Sequence, residues 1–251
     1  MHLSEIAVVF LTCPRTPSYL AQTLASFGLG DARVAGLHSV AVAVDAEDVG
    51  CAGELAGLER VRWVVRTAEE SALVAGFAVH RRACASYSRA LRLAEEAVAA
   101  GARGVLVCED DVVFRNGWVG MLEDALGEME GLGEFLLTLY SGRDHEEEAL
   151  RRGRFYSSYV AAGFYGTQAL FYTAGEVAPC REVVWRCGVE TAEEPYDLLL
   201  KRRAISQQHL YTTRHSLVQH AGVVSTGLGW GHRSPSFERA WPEGMEGNLA
   251  W

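Results

Sequence analysis

Three adjacent acidic residues, Glu109, Asp110 and Asp111, follow directly after the apolar run Val105–Cys108. Carboxylates this close repel one another, and the repulsion costs stability where they are partly buried. A divalent cation would relieve it, and Mg²⁺ or Mn²⁺ needs few protein carboxylates because water and phosphate oxygens complete its shell. We therefore predict a metal site beside a nucleotide diphosphate. The simpler interpretation is a solvated end of a strand.

Two further candidates lie far downstream in the chain. His220 follows a short apolar stretch, and imidazole is a suitable ligand for Mn²⁺, although a lone histidine is more often a structural residue. Asp197 stands at the start of a helical pattern, where the helix dipole stabilises an acid. A general base for a sugar hydroxyl also needs an ionised carboxylate in a fixed position. Glu193 and Glu194 are alternatives, and spacing alone does not rank the three.

The segment Thr12–Pro17 follows the first apolar run and contains hydroxyls, prolines and one arginine. Such a loop can frame a nucleotide base through Thr12 and Pro14, with Arg15 near the phosphates. It has no Gly-x-Gly-x-x-Gly pattern and no phosphate-cradling lysine, which argues against dinucleotide and nucleoside-triphosphate folds. The chain also lacks a Gly-x-Ser-x-Gly elbow, which argues against a hydrolase of that type.

Apolar runs alternate with helical patterns through the first 140 residues. The longest helical pattern extends from about 78 to 99 and ends before Gly101. This alternation predicts an α/β fold with a parallel sheet covered on both faces. The predicted strands are Ile6–Leu11, Leu37–Val44, Val61–Val65, Val105–Cys108 and Phe135–Leu139.

Three polar segments fall at the carboxyl ends of these predicted strands. They are Thr12–Arg15, Asp45 and Glu109–Asp111. Ligands of open α/β sheets bind beyond the carboxyl ends of strands, so we expect these segments to converge on one site. In the second half, 140–154 is predicted to be a charged loop and a candidate lid, while 196–203 is predicted to be a helix.

The chain has 251 residues, of which 49% are hydrophobic, and this length suits one domain. We expect a donor half at about 1–115 and an acceptor half with a C-terminal tail at about 116–251. The net charge of -9 argues against nucleic acid and anionic membranes as partners. Basic clusters such as Arg81–Arg82 are solvated helix faces in the simpler interpretation, or one of them faces a diphosphate.

The six cysteines have neither zinc-site spacing nor a C-x-x-C pair, and reduced thiols fit them best. The N-terminal residues have no basic signal-peptide region. The apolar run Ile6–Leu11 is too short to cross a bilayer. We therefore expect a cytoplasmic protein without a membrane span.

Four segments carry a resemblance to a known family, and they occur in the family's order between about residues 6 and 227. The chain resembles GT-A glycosyltransferases, most closely the N-acetylglucosaminyltransferase IV type. A weaker match is GFYG at 163–166. The four segments are AVVFLTCPRTPSYLAQTLASF, VLVCEDDVVF, EEPYDLLLKRR and HSLVQHAGVVSTG.

The resemblance implies a GT-A-like (Rossmann-like), mostly parallel sheet flanked by helices in a single domain. It also implies inverting, metal-dependent transfer of a sugar, an N-acetylhexosamine in that family, from a UDP-sugar to a hydroxyl of a glycan or another acceptor. The cation would be Mn²⁺ or Mg²⁺. Thr226 stands where the family has a second serine of its Ser-Ser pair.

Residue roles follow from the same resemblance. It implies that Asp111 is the direct metal ligand and that Glu109 and Asp110 bind the donor's ribose or sugar. His220 would contact the metal or the diphosphate, and Asp45 would contact uracil. The resemblance also places Asp197 ahead of Glu194 as the base.

Two alternatives stay open. A nucleotidyltransferase also uses carboxylate-bound metal on an α/β sheet, but we would expect a glycine-rich loop with Lys or Arg after its first strand, and Thr12–Pro17 has no glycine. A catalytically silent module that binds a sugar or nucleotide is the other alternative. The presence of both the acidic triplet and Asp197 argues against it.

Overall fold

The computed structural model describes residues 1–158, 167–207 and 209–221, together with Ser234 and Phe237. The GFYG segment at 163–166, Thr226 and most of the C-terminal tail lie outside the described residues. The strands are β1 Ile6–Thr12, β2 Ser39–Val44, β3 Val61–Val64, β4 Gly104–Glu109, β5 Val112–Phe114, β6 Leu136–Thr138, β7 Tyr156–Ser158, β8 Ala169–Thr173, β9 Leu210–Thr213 and β10 Val218–His220.

The helices surround these strands. They are α1 Leu20–Phe27, α2 Ala68–Val74, α3 Val79–Ala99, α4 Trp118–Glu128, α5 Arg143–Arg151, α6 Ala174–Val183 and α7 Tyr196–Ser206. A π-helical segment, Val184–Glu190, continues from α6, and three short 3₁₀ segments occupy Leu3–Glu5, Val34–Gly36 and Gly50–Gly57.

Eight strands form one sheet in the order β3-β2-β1-β4-β8-β6-β9-β7. Strands β1 to β4, β6 and β9 run in one direction, and β8 and β7 run against them. The predicted α/β fold with a mostly parallel sheet flanked by helices is therefore confirmed. Because strands from both predicted halves share this sheet, the described chain folds as a single unit. The division into donor and acceptor halves stays a prediction.

Alternate residues of β1 enter two different cores, as the two-residue period of a strand requires. Ile6, Val8 and Phe10 pack against the aromatic side chains of Phe27 and Phe114 on one face. On the other face, Ala7 and Val9 meet the long helix α3 through residues such as Tyr87 and Leu91. Burial on both faces explains why this strand is a continuous apolar run.

The sequence-based prediction of a charged loop over 140–154 is wrong, because Arg143–Arg151 is helix α5. Its sequence is rich in Glu, Arg, Ala and Leu, which are good helix formers. Among its residues Ala149 is the buried one, so the helix has no apolar stripe for sequence periodicity to reveal. The carboxylate of Glu146 lies 2.5 Å from Nδ1 of His215 and connects α5 to the main body. A lid role for this segment stays a prediction.

All six cysteines lie among the described residues and are free. None of the helices in the described part of the chain combines the length and the apolar composition that crossing a bilayer requires.

Candidate active site

The carboxyl ends of β1, β2 and β4 meet at one cavity of about 450 Å³, within the range of small-molecule sites. Thr12 ends β1, and Pro14 and Arg15 follow it. Asp45 follows β2, and Glu109 ends β4 with Asp110 and Asp111 directly after it. The predicted convergence of these three segments is confirmed. It arises because β1 pairs in parallel with both β2 and β4, which brings their ends together.

Asp110 is buried and hydrogen-bonded from two sides. The hydroxyl of Thr12 donates to one carboxylate oxygen, and the guanidinium of Arg15 forms an ion pair with the other. Thr23 fixes the backbone, since its hydroxyl donates to the carbonyl oxygen of Asp110 over 2.6 Å. Burial raises the pKa of Asp110 to about 6, although the positive charge of Arg15 acts in the opposite direction. The side chain of Asp110 is therefore fixed in position, and burial has removed part of its hydration.

Asp111 lies between an arginine and a histidine. Its Oδ2 atom is 3.1 Å from Nη1 of Arg15 and 3.3 Å from Nε2 of His220. Burial opposes ionisation of Asp111, but the hydrogen bond and charge of His220 and the charge of Arg15 outweigh it and hold its pKa below the usual value. Burial also opposes protonation of His220, yet its contact with Asp111 raises the pKa of the imidazole. The pair therefore favours an ionised carboxylate.

Glu109 accepts a hydrogen bond of 2.8 Å from the phenol of Tyr196. Burial, reinforced by the negative charge of Asp111, raises the pKa of Glu109 to about 7. The ring of Tyr196 stacks on Tyr87 with centroids 4.2 Å apart, so the phenol has little freedom to turn away. Tyr196 lines the cavity. Sequence reasoning missed it, although it stands in the Pro195-Tyr196-Asp197 segment that marked this region.

His220 reaches the acidic triplet through a separate two-stranded sheet. Strand β10 pairs antiparallel with β5, which places His220 opposite Val112, the residue after Asp111. The backbone N–H of Ala221 donates to the carbonyl oxygen of Asp111 over 2.7 Å and secures the end of the pairing. The structure thus brings together Asp111 and His220, which the sequence predicts as metal ligands. The ligand roles themselves stay predictions.

Asp197, the predicted base, begins α7 beside Tyr196 and is half-buried. Its side chain is not among those that line the cavity. Of the alternatives, Glu194 lies 3.2 Å from Arg202 and Glu193 lies 3.7 Å from the same guanidinium. Both glutamates therefore pair with Arg202 at the surface. Asp197 stays the predicted base, next to the cavity residue Tyr196.

Two arginines that sequence reasoning did not assign to the site line the cavity. Arg66 donates to the carbonyl oxygen of Asp45 over 2.6 Å, and its Nε is 3.5 Å from the Asp45 carboxylate. Arg82 belongs to the basic pair Arg81–Arg82, whereas Arg81 turns away to donate to the carbonyl oxygen of Val189. One of the basic clusters noted in the sequence therefore faces the candidate site through Arg82.

No group of three His, Cys, Asp or Glu side chains in the described ranges is arranged to hold a metal ion. The smaller donor set of Asp111 and His220 nevertheless fits a divalent cation. Among the described residues, buried Oδ1 of Asp111 and Nδ1 of His220 have no hydrogen-bond partner. Carboxylate oxygen and imidazole nitrogen are ligands that Mn²⁺ accepts, and substrate phosphate and water complete such shells. Arg15 places its positive charge beside the carboxylates of Asp110 and Asp111.

Comparisons with known proteins support the fold. The chain resembles the galactosyltransferase LgtC, which was crystallised with donor and acceptor sugar analogs, at 13% identity and a TM-score of 0.52, over 97% of this chain and 100% of that one. It also resembles 4-diphosphocytidyl-2C-methyl-D-erythritol synthase from Anaerococcus prevotii, at 10% identity and a TM-score of 0.46, over 83% and 86% of the two chains.

The similarity to LgtC shows that the described chain has the GT-A type of fold. No family model matches the sequence, and a search of the curated proteins found no match to it. These similarities show the GT-A type of fold and do not show the N-acetylglucosaminyltransferase IV type.

Proposed function

We propose that this protein is a glycosyltransferase that moves a sugar from a UDP-sugar to an acceptor hydroxyl. The observation that carries the proposal is the meeting of the acidic triplet with Tyr196 and His220 at the carboxyl edge of a GT-A-type sheet. A galactosyltransferase with the same type of fold binds donor and acceptor sugar analogs. The resemblance to the N-acetylglucosaminyltransferase IV type favours an N-acetylhexosamine as the transferred sugar.

Asp111 and His220 would hold Mn²⁺ or Mg²⁺. When bound, the cation supplies positive charge against the diphosphate that leaves during transfer. Arg15 and Arg82 face the same cavity and can contact phosphate oxygens through planar guanidinium groups. Arg15 also pairs with Asp110 and Asp111, so it would have to exchange these partners to contact the phosphates.

The remaining carboxylates would orient the donor. Asp110 is fixed by Thr12 and Glu109 is fixed by Tyr196, so both present oxygens in defined positions to ribose or sugar hydroxyls. Asp45 follows β2 and lines the same cavity, where it would accept a hydrogen bond from uracil. In this proposal the uracil would lie near Asp45 and the sugar near Glu109 and Asp110.

Transfer would proceed with inversion and with Asp197 as the base. The acceptor oxygen attacks the anomeric carbon from the face opposite the diphosphate, and a new glycosidic bond forms. The bond between the anomeric carbon and the diphosphate oxygen breaks, and UDP leaves with the electron pair. Asp197 takes the proton of the acceptor hydroxyl. For this role the carboxylate of Asp197 must turn towards the cavity that its neighbour Tyr196 lines.

The proposal is tested with a panel of UDP-sugars, each with and without Mn²⁺. The readouts are the thermal midpoint and the release of UDP. We expect one UDP-sugar to raise the midpoint and to be slowly hydrolysed, both only when Mn²⁺ is present. Formation of pyrophosphate from UTP and a sugar 1-phosphate would favour the nucleotidyltransferase alternative. Binding of UDP without hydrolysis or transfer to any acceptor would favour a silent binding module.

A further inference from the structure

A second cavity, which we call the arginine pocket, lies beside the candidate active site. Its volume is about 260 Å³, and Asp45, Arg66 and Ser86 line both cavities, so they form the wall between the two. Arg89, Arg92 and Arg181 also line the arginine pocket, together with Glu70. Four arginines against one aspartate and one glutamate leave a net charge of +2 on its walls, in a chain whose net charge is -9.

Arg89 lines the arginine pocket and is 7% exposed. Its Nη2 atom donates to the carbonyl oxygens of Val44 and Val64, at the ends of β2 and β3. Among the described residues, its Nε and Nη1 atoms have no hydrogen-bond partner, and Nη1 lies 3.8 Å from Glu70. A buried guanidinium with two nitrogens that lack a hydrogen-bond partner is costly unless an anion approaches it.

Arg92 and Arg181, which we call the rim arginines, are more exposed than Arg89. Arg92 is half exposed and lies 2.8 Å from Glu70, while Arg181 lies 2.7 Å from Glu95, which is outside the pocket lining. Glu70 therefore serves both Arg89 and Arg92, and it does not neutralise both. The rim arginines keep donors that a ligand at the mouth of the pocket can reach.

The remaining wall is apolar. Leu73, Val74 and Trp185 line it, and Leu73 is 50% exposed. An anion bound by the arginines would lie next to this surface, and the organic part of an anionic molecule could cover it. A phosphate monoester carries close to two negative charges at neutral pH, which matches the net charge of the walls. Guanidinium groups also bind phosphate oxygens in pairs.

We propose that the arginine pocket is a binding site for an organic phosphate monoester, separate from the candidate active site. The phosphate would lie against Arg89, Arg92 and Arg181, and the organic group would lie against Trp185. This proposal does not depend on the glycosyltransferase activity, because none of these four residues lines the candidate active site.

Phenyl phosphate is the probe, because it combines a dianion with a flat apolar group. Its binding is measured by titration calorimetry at constant ionic strength. The test variant is Arg92→Gln/Arg181→Gln. It removes both rim arginines, each of which pairs with a glutamate. The matched control is Arg62→Gln/Arg103→Gln. It removes the same charge and two exposed arginine–glutamate pairs that lie outside the pocket lining.

We expect saturable binding to the unaltered protein and to the control, and binding at least tenfold weaker in the test variant. Both double variants should unfold at similar urea concentrations, which separates lost binding from lost folding. A third variant, Arg82→Gln, changes the candidate active site alone and should bind the probe normally. The proposal is overturned if the unaltered protein does not bind, if the two double variants lose affinity equally, or if Arg82→Gln removes the binding.

Discussion

The phenolic oxygen of Tyr196 lies 2.8 Å from Oε1 of Glu109, and this hydrogen bond joins the first turn of α7 to the end of β4. Glu109 is half-buried, and the phenol replaces hydrogen bonding to water that burial removes. The bond therefore fixes one wall of the candidate active site. It also connects the segment that contains Asp197 to the acidic triplet.

Replacing Tyr196 with phenylalanine should weaken binding of the donor about tenfold or more. A hydrogen bond to a charged group contributes roughly 1.5–3 kcal/mol, and without it Glu109 can turn or remain protonated. Calorimetry with the active UDP-sugar measures the change. The control is Tyr172→Phe, which removes the phenol that pairs with Tyr87 deeper in the core, at 2.9 Å. Equal affinities in the two variants would contradict a positioning role for Tyr196.

The Asp111→Asn variant should lose Mn²⁺-dependent turnover while it keeps its fold. The carboxamide has about the same shape as the carboxylate but lacks the negative charge that a cation needs. Titration of Mn²⁺ into the protein, together with UDP release, measures both effects. Asp124→Asn removes an exposed carboxylate on α4 and serves as the control. Unchanged Mn²⁺ affinity in Asp111→Asn would show that the metal assignment is wrong.

The Asp197→Asn variant should keep its donor affinity and lose transfer to the acceptor by a factor of about 10² or more, because general base catalysis contributes about that much. Glu194→Gln should retain activity, since Glu194 is engaged with Arg202 at the surface. Donor affinity and transfer rate are measured separately for each variant. If Glu194→Gln alone is inactive, the base has been assigned to the wrong residue.

The metal-free protein should become less stable as the pH rises from about 5 to about 8. Burial raises the pKa of Asp110 to about 6 and that of Glu109 to about 7, so the folded state binds these protons more tightly than the unfolded state does. The resulting stabilisation is present at low pH and is lost as the pH rises through these values. His220 acts in the same direction, because its pKa is raised in the folded state.

Urea unfolding in the presence of a chelator, repeated across this pH range, measures the effect. Glu109→Gln should flatten the pH dependence, since it removes a group that is costly to ionise. Glu130→Gln, at an exposed position, should leave the slope unchanged. If the free energy of unfolding instead rises with pH over this interval, Glu109 and Asp110 do not bind protons more tightly in the folded state.

Gly104 begins β4 and has no room for a side chain. A Cβ atom there would lie 2.2 Å from Cζ of Phe171, a fully buried ring. Gly104→Ala should therefore destabilise the protein by about 1–3 kcal/mol, as overpacking does. At Gly127 in α4, by contrast, a Cβ would meet nothing within 4 Å. Gly127→Ala should leave stability unchanged or raise it by up to about 1 kcal/mol, and urea unfolding of both variants gives the comparison.

Much of the parallel part of the fold could be predicted from the sequence. Strands such as β1 and β4 are buried on both faces and appear as short apolar runs, and polar residues mark their carboxyl ends. This is why the positions of Thr12, Asp45 and Asp110 on one cavity could be expected. Helix α5 was missed because a helix with one buried residue has no periodic apolar pattern.

The contacts between distant segments could not be predicted from the sequence. The bond from Tyr196 to Glu109 depends on how α7 packs, and the contact between His220 and Asp111 depends on a three-residue strand. Neither leaves a local pattern, because the partners are about 90 to 110 positions apart. The resemblance to a known family did mark both segments, but without their geometry.

The pairing of β10 with β5 also has a consequence for how the protein is made. Val112 and His220 are opposite one another in this pairing but lie 108 positions apart in the chain. During synthesis the ribosome releases the acidic triplet long before the histidine that contacts it, and loop closure over such a distance is slow. The candidate site can therefore form only after His220 has left the ribosome, and until then the nascent chain holds three neighbouring carboxylates without their histidine partner.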